Sequence, residues 1–294
     1  MENRPLICYS FTYMHTLENA KLKALIKLLE TESETYGPVL KGELAAAIKE
    51  NPLQVQSFIE EEFKTSAPRP VLDALEEICW EDLATALTRF SAKINPDLEE
   101  GLTLLSKFTR PICARGDIAA PLDEMARDLR PALLNAKNHA EIAAILGHYF
   151  FRLRGYQALQ TNLDVKDISF ARFLRKGRGS SLCVACLYAT IAHRYGLDMG
   201  LIDLAGRILV CLHDYVRHET IFIDPLDNGK ILTENDCRQY IKDRNIEWNK
   251  EFFTPLTSRL IVRRFIANMI YALNKVRDER RLAYLRRYLE IIKG

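Results

Sequence analysis

The residues best placed for covalent chemistry lie at the start of an apolar helix. A polar turn over residues 177–181 leads directly into LCVACLYATIAHRYG, a predicted helix that stops at Gly196 and that Ser180 or Ser181 can cap. Cys183 then falls in the first turn, where unpaired backbone N–H groups favour a thiolate over a thiol. Cys183 is therefore a candidate nucleophile, while the more ordinary state of a free cysteine is a small buried hydrophobe.

Cys183 and Cys186 also have C-x-x-C spacing. A redox role for that motif requires a thioredoxin-like βαβ context, and a zinc site requires two more ligands at a recognised spacing. The sequence offers neither, so we expect Cys186 to pack inward, and we predict no metal and no cofactor. The chain has seven cysteines in total, widely spread, which predicts reduced thiols in a cytoplasmic protein.

Two stretches rich in β-branched and aromatic residues follow this helix. Residues 207–215 (RILVCLHDY) and 219–224 (ETIFID) predict an antiparallel hairpin. Asp224 ends the second strand before Pro225, where an aspartate either makes a strand-end turn or orients a catalytic histidine. Arg207 begins the first strand. Its side chain is expected to be solvated, to pair with Asp224 or to bind an anion.

No histidine is spaced to act as a base for Cys183. His193 lies ten residues further along the same helix, roughly 15 Å away. His213 lies six residues beyond Arg207, about 20 Å further along the strand. His218 falls in the predicted hairpin turn, and no acidic residue is evident to orient it. Spacing alone therefore predicts no Cys–His pair.

Helices are predicted over most of the remaining chain. The N-terminal part reads as helices near 39–50, 53–63 and 71–90, broken at Gly37-Pro38 and Asn51-Pro52, a pattern compatible with HEAT-like hairpins. Residues 111–116 form a connector, and helices follow near 120–129 and 139–154, the second ending at Gly155. Beyond an Asn-Gly turn at 228–229 and a helix capped by Thr233, residues 256–275 and 278–292 predict a helical hairpin.

Composition indicates an ordinary globular protein. The chain has 294 residues, 48% apolar and 27% charged, which predicts two compact units or one domain with an extension. The net charge is only +2, so no overall charge excess points to nucleic acid or a membrane surface. No stretch approaches the roughly 18 unbroken apolar residues of a membrane span, and the N-terminus does not resemble a secretory signal.

Charge is nevertheless unevenly distributed along the sequence. Residues 17–100 carry 17 acidic and 9 basic side chains, whereas residues 259–294 carry 10 basic and 3 acidic ones. Either the two regions attract each other, or they face different partners, or their charges lie on solvated helix faces. The C-terminal arginines recur at helical spacing among leucines, which favours an amphipathic surface over a nucleic-acid site.

Four segments, in the same order, resemble the SirB-type branch of the transglutaminase-like superfamily. They are GRGSSLCVACLYATIAHRYGLDMGLIDL, AGRILVCL, FIDPLDNGKILTENDC and TPLTSRLIVRRFIANMIYALNKVRDERRLAYLRRYLEII. The resemblance runs from about residue 117 to the C-terminus. The helical N-terminal third is similar to the HEAT-like extension of some bacterial members. The resemblance implies a bacterial protein with a papain-like core, followed by a helical pair similar to a tetratricopeptide hairpin.

The superfamily implies a Cys–His–Asp site, of which this chain keeps a part. Ser181 stands where true transglutaminases carry the nucleophilic cysteine, and Cys183 stands where SirB-type members usually carry serine. Arg207 occupies the histidine position, and an arginine cannot act as a base because it stays protonated. Asp224 retains the acid position. The resemblance thus implies a degenerate site, with Cys183 and Asp224 as the best catalytic candidates and Ser181 and Arg207 as ligand-binding candidates.

We therefore predict an α+β, mainly helical fold. A helical, HEAT-like region covers residues 1–110, a transglutaminase-like domain with a small antiparallel sheet covers 111–255, and a helical hairpin covers 256–294. The expected function is non-catalytic binding of a protein partner in the cytoplasm, in a regulatory role, without nucleic acid or membrane. Two alternatives stay open: a cysteine-dependent enzyme acting on amide or peptide bonds, and a small-anion pocket at the former active site.

Overall fold

Helices dominate the computed structural model, which describes residues 6–62, 68–161 and 163–292. The helices in these ranges are α1 (Leu6–Thr31), α2 (Ser33–Glu50), α3 (Pro52–Glu62), α4 (Arg69–Ala92), α5 (Leu98–Thr109), α6 (Gly116–Leu134), α7 (His139–Gly147), α8 (Phe170–Lys176), α9 (Ser181–His193), α10 (Glu234–Lys242), α11 (Ser258–Val276) and α12 (Glu279–Ile291). The strands are β1 (Gln157–Leu159), β2 (Arg178–Ser180), β3 (Met199–Leu204), β4 (Arg207–Asp214), β5 (Glu219–Asp224) and β6 (Lys230–Leu232). The prediction of a mainly helical α+β fold is confirmed.

The chain divides into two compact units. Unit 1 contains residues 1–82 and 110–112, and unit 2 contains residues 83–109 and 113–294. Helix α4 crosses from unit 1 to unit 2 at Leu83. The predicted domain limits at residues 110 and 255 stay a prediction.

Unit 1 is built from α1, α2, α3 and the first part of α4. Its core is formed by apolar side chains at helical spacing on each helix: Leu22, Leu25, Ile26, Leu29, Leu40, Leu44, Val55, Phe58, Val71, Ala74 and Leu75. Trp80 is also fully buried in this unit. Two predictions concern parts of the chain that the structure does not describe: the end of the third helix at position 63 and the thiol state of the Cys8 side chain.

The predicted helix break at Gly37-Pro38 is wrong, because α2 continues through Pro38. A proline inside a helix removes one backbone N–H and crowds the preceding turn. Here Leu40 and Leu44, just beyond it, are buried in the core of unit 1. Burial of these two side chains offsets the local cost. The chain breaks instead at Glu32, between α1 and α2.

The centre of unit 2 is a four-stranded antiparallel sheet of order β3-β4-β5-β6. The predicted hairpin is confirmed as β4 and β5, with Val210 opposite Ile223. The predicted Asn-Gly turn is confirmed too, since Asn228 and Gly229 have φ of 50° and 77° before β6. Strand β3 was not predicted, and β1 and β2 form a separate parallel pair.

Helix α9 is the most deeply buried element of unit 2. Every residue from Leu182 to Ala192 is buried. Such a helix has no solvent face, which explains why its sequence is apolar all round. It packs against β3 and β4. The helix before it, α8, ends at Gly177 with φ of 70°, and the helical segment after α7 ends before Gly155 with φ of 68° as predicted.

The predicted C-terminal hairpin is confirmed as α11 and α12, which pack together and on α5. The approach of α11 to α5 is close at Gly101. A Cβ atom there would lie 2.6 Å from Val262 Cγ2 and 2.9 Å from Phe90 Cζ. A side chain at this position would force Val262 or Phe90 to shift, so the packing favours glycine.

Helix α10 covers one face of the sheet. It begins with the predicted cap, in which Thr233 and Asp236 exchange hydrogen bonds. Its inner side packs in a cluster formed by Ile202, Leu204, Leu209, Cys211, Phe222, Cys237 and Ile241. Beyond the helix, Trp248 is 40% exposed, with the Arg238 guanidinium 4.0 Å from its ring centroid.

Candidate active site

The start of α9 is shaped by the polar turn that precedes it. Strand β2 ends at Ser180, whose side chain caps α9 by accepting the N–H of Cys183 at 3.3 Å. This confirms the predicted cap and places Cys183 in the first turn of the helix. Ser181, the other polar candidate, follows the cap and is partly buried.

Cys183 is sealed from solvent. Its side chain is 0% exposed. The thiol donates to the backbone carbonyl of Ile168 at 3.5 Å, and it accepts from Ser180 Oγ at 3.3 Å. Burial raises the pKa of Cys183 to about 12, although the hydrogen bonds from Ser180 act in the opposite direction. The effect of burial on the pKa of Cys183 therefore exceeds the opposite effect of the helix N-terminus, and the side chain is a thiol at neutral pH.

Cys186 lies one turn further along α9 and is equally buried. Burial raises its pKa well above the ordinary value, and the neighbouring Cys183 adds to that effect. Tyr188 and Ile191 are fully buried as well, as expected for an inward-facing stretch. The C-x-x-C spacing thus places two neutral thiols in the protein interior.

Arg207 and Asp224 form an ion pair across neighbouring strands. Arg207 begins β4, Asp224 ends β5, and Arg207 Nη2 donates to Asp224 Oδ2. Asp224 is 2% exposed, and its Oδ1 accepts the N–H of Leu226 at 2.9 Å, which caps a 3-10 turn over Pro225–Asp227. The Arg207 guanidinium also lies 5.3 Å from the centroid of the Tyr240 ring. Both suggested structural roles of Asp224, turn residue and arginine partner, are present together.

This ion pair faces a small cavity of about 260 Å³ beside α10. Its charged and nucleophilic lining residues are Arg207, Asp224, Asp227, Lys230, Asp236 and Cys237. Burial raises the pKa of Cys237 to about 12, and nearby carboxylates including Asp236 and Asp224 contribute. The three carboxylates outnumber the two cations in the lining.

Cys183 does not take part in this arrangement. It does not line the cavity, and neither does Ser181. Within the described ranges, no hydrogen bond or ion pair joins Cys183 to Arg207 or Asp224. The structure thus brings two of the four candidate residues together and leaves the cysteine and the serine outside the cavity.

The family of the chain follows from comparison with protein-family models. The model described as the transglutaminase-like superfamily matches residues 116–267, which is more than half of the chain. The chain belongs to the transglutaminase-like superfamily. The matched region runs from α6 into α11, so it includes α9, the four-stranded sheet and α10. Searches among curated proteins and among solved structures gave no match.

In the described part of the chain, no hydrogen bond joins any of the candidate histidines of the transglutaminase-like domain to Cys183. His213 shares a 3.0 Å hydrogen bond with Thr220 on β5. His193 lies exposed at the end of α9, and His218 takes a φ of 55° in the turn after β4. These positions agree with the absence of a Cys–His pair inferred from spacing.

Sequence reasoning missed one histidine contact in the same domain. His139 Nδ1, at the start of α7, lies 2.8 Å from Asp214 Oδ2 at the end of β4. Burial opposes ionisation of Asp214, but the N–H groups of Arg217 and Val216 and the nearby His139 together hold its pKa below the ordinary value. No local motif connects positions 139 and 214, so the sequence offers no signal for this pair.

The described residues form neither a metal-binding cluster nor a membrane-spanning helix. In residues 6–62, 68–161 and 163–292, no group of three or more histidine, cysteine or acidic side chains is arranged to hold a metal ion. The helices of the same ranges include none with the length and apolar content to cross a bilayer.

Proposed function

We propose that this chain is a non-catalytic member of the transglutaminase-like superfamily and acts by binding a protein partner in a regulatory role. The observation that carries the proposal is the burial of Cys183, which is 0% exposed and whose pKa is raised to about 12 by that burial. A nucleophilic cysteine needs a thiolate and a path for the substrate. Cys183 has neither.

The arrangement of Arg207 supports the same proposal. By the family resemblance, Arg207 stands at the histidine position, and it pairs with Asp224, which stands at the acid position. An arginine keeps its proton, so this pair cannot relay a proton as a His–Asp pair does. The pair joins the start of β4 to the end of β5, and neither of its members supplies the general base that the histidine position provides in the family.

We also propose the finer family assignment and setting. The SirB-type branch, the HEAT-like nature of the N-terminal helices, a bacterial source and a cytoplasmic location all rest on the sequence resemblance and on the chain's composition. In this proposal the cavity beside α10 is not an anion site, because its lining has three carboxylates against Arg207 and Lys230.

The catalytic half of the proposal is tested with a thiol and an amine probe. Iodoacetamide labelling between pH 6 and pH 9, read by mass spectrometry, should leave Cys183 unmodified in the native chain and modify it in denaturant. Incorporation of a fluorescent primary amine into casein should be the same for the wild type and for Cys183→Ala. Rapid labelling of native Cys183, with amine incorporation that Cys183→Ala abolishes, would overturn the non-catalytic assignment.

The proposed protein binding is tested with a purified partner. A protein co-purified with the chain should bind it with a saturable calorimetric isotherm. The same isotherm is expected with Cys183→Ala, because the thiol is not required for binding. A dependence of binding on a free thiol at position 183 would argue for a covalent enzyme–substrate complex instead.

A further inference from the structure

Two glycine turns of unit 2 lie side by side and carry basic side chains. The chain turns at Gly155 after the π-helical segment His148–Leu153, and again at Gly177 after α8. Gln157 N–H donates to the Gly177 carbonyl at 2.7 Å, and Gln157 pairs with Arg178 in the parallel β1–β2 ladder. The cations on these two turns therefore belong to one surface.

Four cations on this surface have no ion-pair partner in the described part of the chain. They are Arg152, Arg175, Lys176 and Arg178, here called the basic patch, and all are exposed. Leu153 follows Arg152 in the chain and is 66% exposed. By contrast, Arg154 on the same turn is paired with Glu124 at 3.0 Å and Asp128 at 3.8 Å. Glu124 and Asp128 are thus engaged by Arg154 and not by the basic patch.

We propose that the basic patch is the docking surface for an acidic segment of the partner protein, with an apolar side chain of that segment covering Leu153. Three arginine guanidinium groups suit carboxylates, which they can bind through two parallel hydrogen bonds. Unpaired surface cations gain little from one another and attract the opposite charge. The inference rests on the proposed function only in that the chain binds a protein.

The composition of the patch favours a protein over a nucleic acid. Binding of single strands usually involves exposed aromatic rings on which bases stack. Of the aromatic residues nearest these turns, Tyr156 is 4% exposed and Phe151 is half-buried, whereas the exposed apolar residue is the aliphatic Leu153.

The test uses the full chain and a fluorescein-labelled peptide with four Asp-Glu-Leu repeats, followed by fluorescence anisotropy at 50 mM NaCl. The double variant Arg175→Glu/Lys176→Glu should weaken binding by about tenfold or more. The matched control is Lys242→Glu/Lys250→Glu, which makes the same charge change at two exposed, unpaired lysines of unit 2 and should weaken binding by less than about twofold. If the first variant does not fold, Arg175→Gln/Lys176→Gln replaces it.

The comparison ligands are a 12-nucleotide oligothymidylate and vesicles containing phosphatidylserine. Stronger binding of either than of the peptide, lost in the same patch variant, would replace the acidic protein with that partner class. Equal losses in patch and control variants, or no peptide binding, would overturn the proposal. None of these results depends on Cys183, so failure of this inference is distinguishable from failure of the non-catalytic assignment.

Discussion

Tyr188 carries its hydroxyl into the middle of unit 2. The side chain is fully buried, and its oxygen has no hydrogen-bond partner among the described residues. Two glycines leave room for it: a Cβ atom would lie 3.3 Å from the hydroxyl oxygen at Gly147 and 2.7 Å from it at Gly229. A buried polar group without a partner costs roughly 1–3 kcal/mol of folding free energy.

Replacing Tyr188 with phenylalanine should therefore raise the free energy of unfolding, by about 1 kcal/mol, since the unpaired hydroxyl is removed and the ring is kept. The matched control is Tyr156→Phe, because the Tyr156 hydroxyl is also buried but donates to the Leu174 carbonyl at 3.1 Å. That variant should lose about 1 kcal/mol. Urea denaturation followed by circular dichroism measures both, and destabilisation by Tyr188→Phe would indicate a hydrogen bond that this structure lacks.

The stability of unit 2 should depend on pH through the ionisation of Asp214. Its pKa in the folded chain lies below the ordinary 3.8 because backbone N–H groups and His139 favour the charged form in spite of burial. A carboxyl whose pKa falls on folding stabilises the protein fully above its ordinary pKa, and this contribution disappears as the pH falls through the folded value.

Asp214→Asn should consequently be less stable than the wild type at pH 7, and the gap should narrow as the pH falls below about 4. Melting temperatures measured by calorimetry from pH 7 to pH 3 give the comparison. Glu247→Gln is the control, since Glu247 is exposed and has no hydrogen bond or ion pair in the described part of the chain. A constant gap across the pH range would mean that the carboxylate charge is not the source of the effect.

The position of Cys183 could be read from the sequence, but its environment could not. A glycine turn, a serine cap and an apolar run are local signals, and they place the cysteine in the first turn of α9. The group that accepts from its thiol is the carbonyl of Ile168, fifteen residues earlier in the chain. Which backbone segment covers a side chain depends on tertiary packing, so sequence spacing does not reveal it.

Among the elements, α5 and α11 approach each other closely at Gly101. Gly101 on α5 faces Val262 on α11 and Phe90 on the last turns of α4. Adding a methyl group in a filled core forces neighbours off their preferred rotamers at a cost of about 1–3 kcal/mol.

Gly101→Ala should destabilise the protein by about that amount, even though alanine has the higher helix propensity. Val262→Ala, introduced in the same chain, should recover part of the loss because it removes the methyl groups that clash. Gly116→Ala is the control, since nothing lies within 4 Å of its Cβ position, and it should be neutral. The unfolding free energies of the wild type, Gly101→Ala, Val262→Ala and the double variant, from urea titrations, form a double-mutant cycle, and a zero coupling term would contradict the contact.

Local sequence patterns correctly predicted the β-hairpin, the helix caps and the helices that end at glycine. They failed where tertiary packing opposes the secondary-structure propensity of the residues. Pro38 predicted a break that the buried Leu40 and Leu44 override. Strand β3 contains Gly200 and Asp203, both unfavourable in strands, and it forms because β4 offers it a paired edge. The sequence gives the secondary-structure propensities at these sites, but it does not show which element packs against them.

For the molecule as a whole, arginines of the basic C-terminal region form hydrogen bonds and ion pairs that stabilise the fold. Arg263 donates to the Leu289 and Ile292 carbonyls at 3.0 and 2.9 Å, and Arg264 pairs with Asp203 at 3.1 Å. Arg259 donates to the Ser91 carbonyl at 2.9 Å. These guanidinium groups satisfy backbone and acidic groups within unit 2. Much of the positive charge seen in the sequence is therefore engaged internally.

The two tryptophans fall one in each unit and in opposite surroundings. Trp80, in unit 1, is 0% exposed, whereas Trp248, in unit 2, is 40% exposed under an arginine. A buried indole fluoresces at shorter wavelength than a hydrated one, so the emission of the intact chain is a sum of two separable bands. A Trp248→Phe chain would emit from unit 1 alone and a Trp80→Phe chain from unit 2 alone. The protein thus contains its own spectroscopic label for each half, and the order in which the halves melt can be read without attaching a dye.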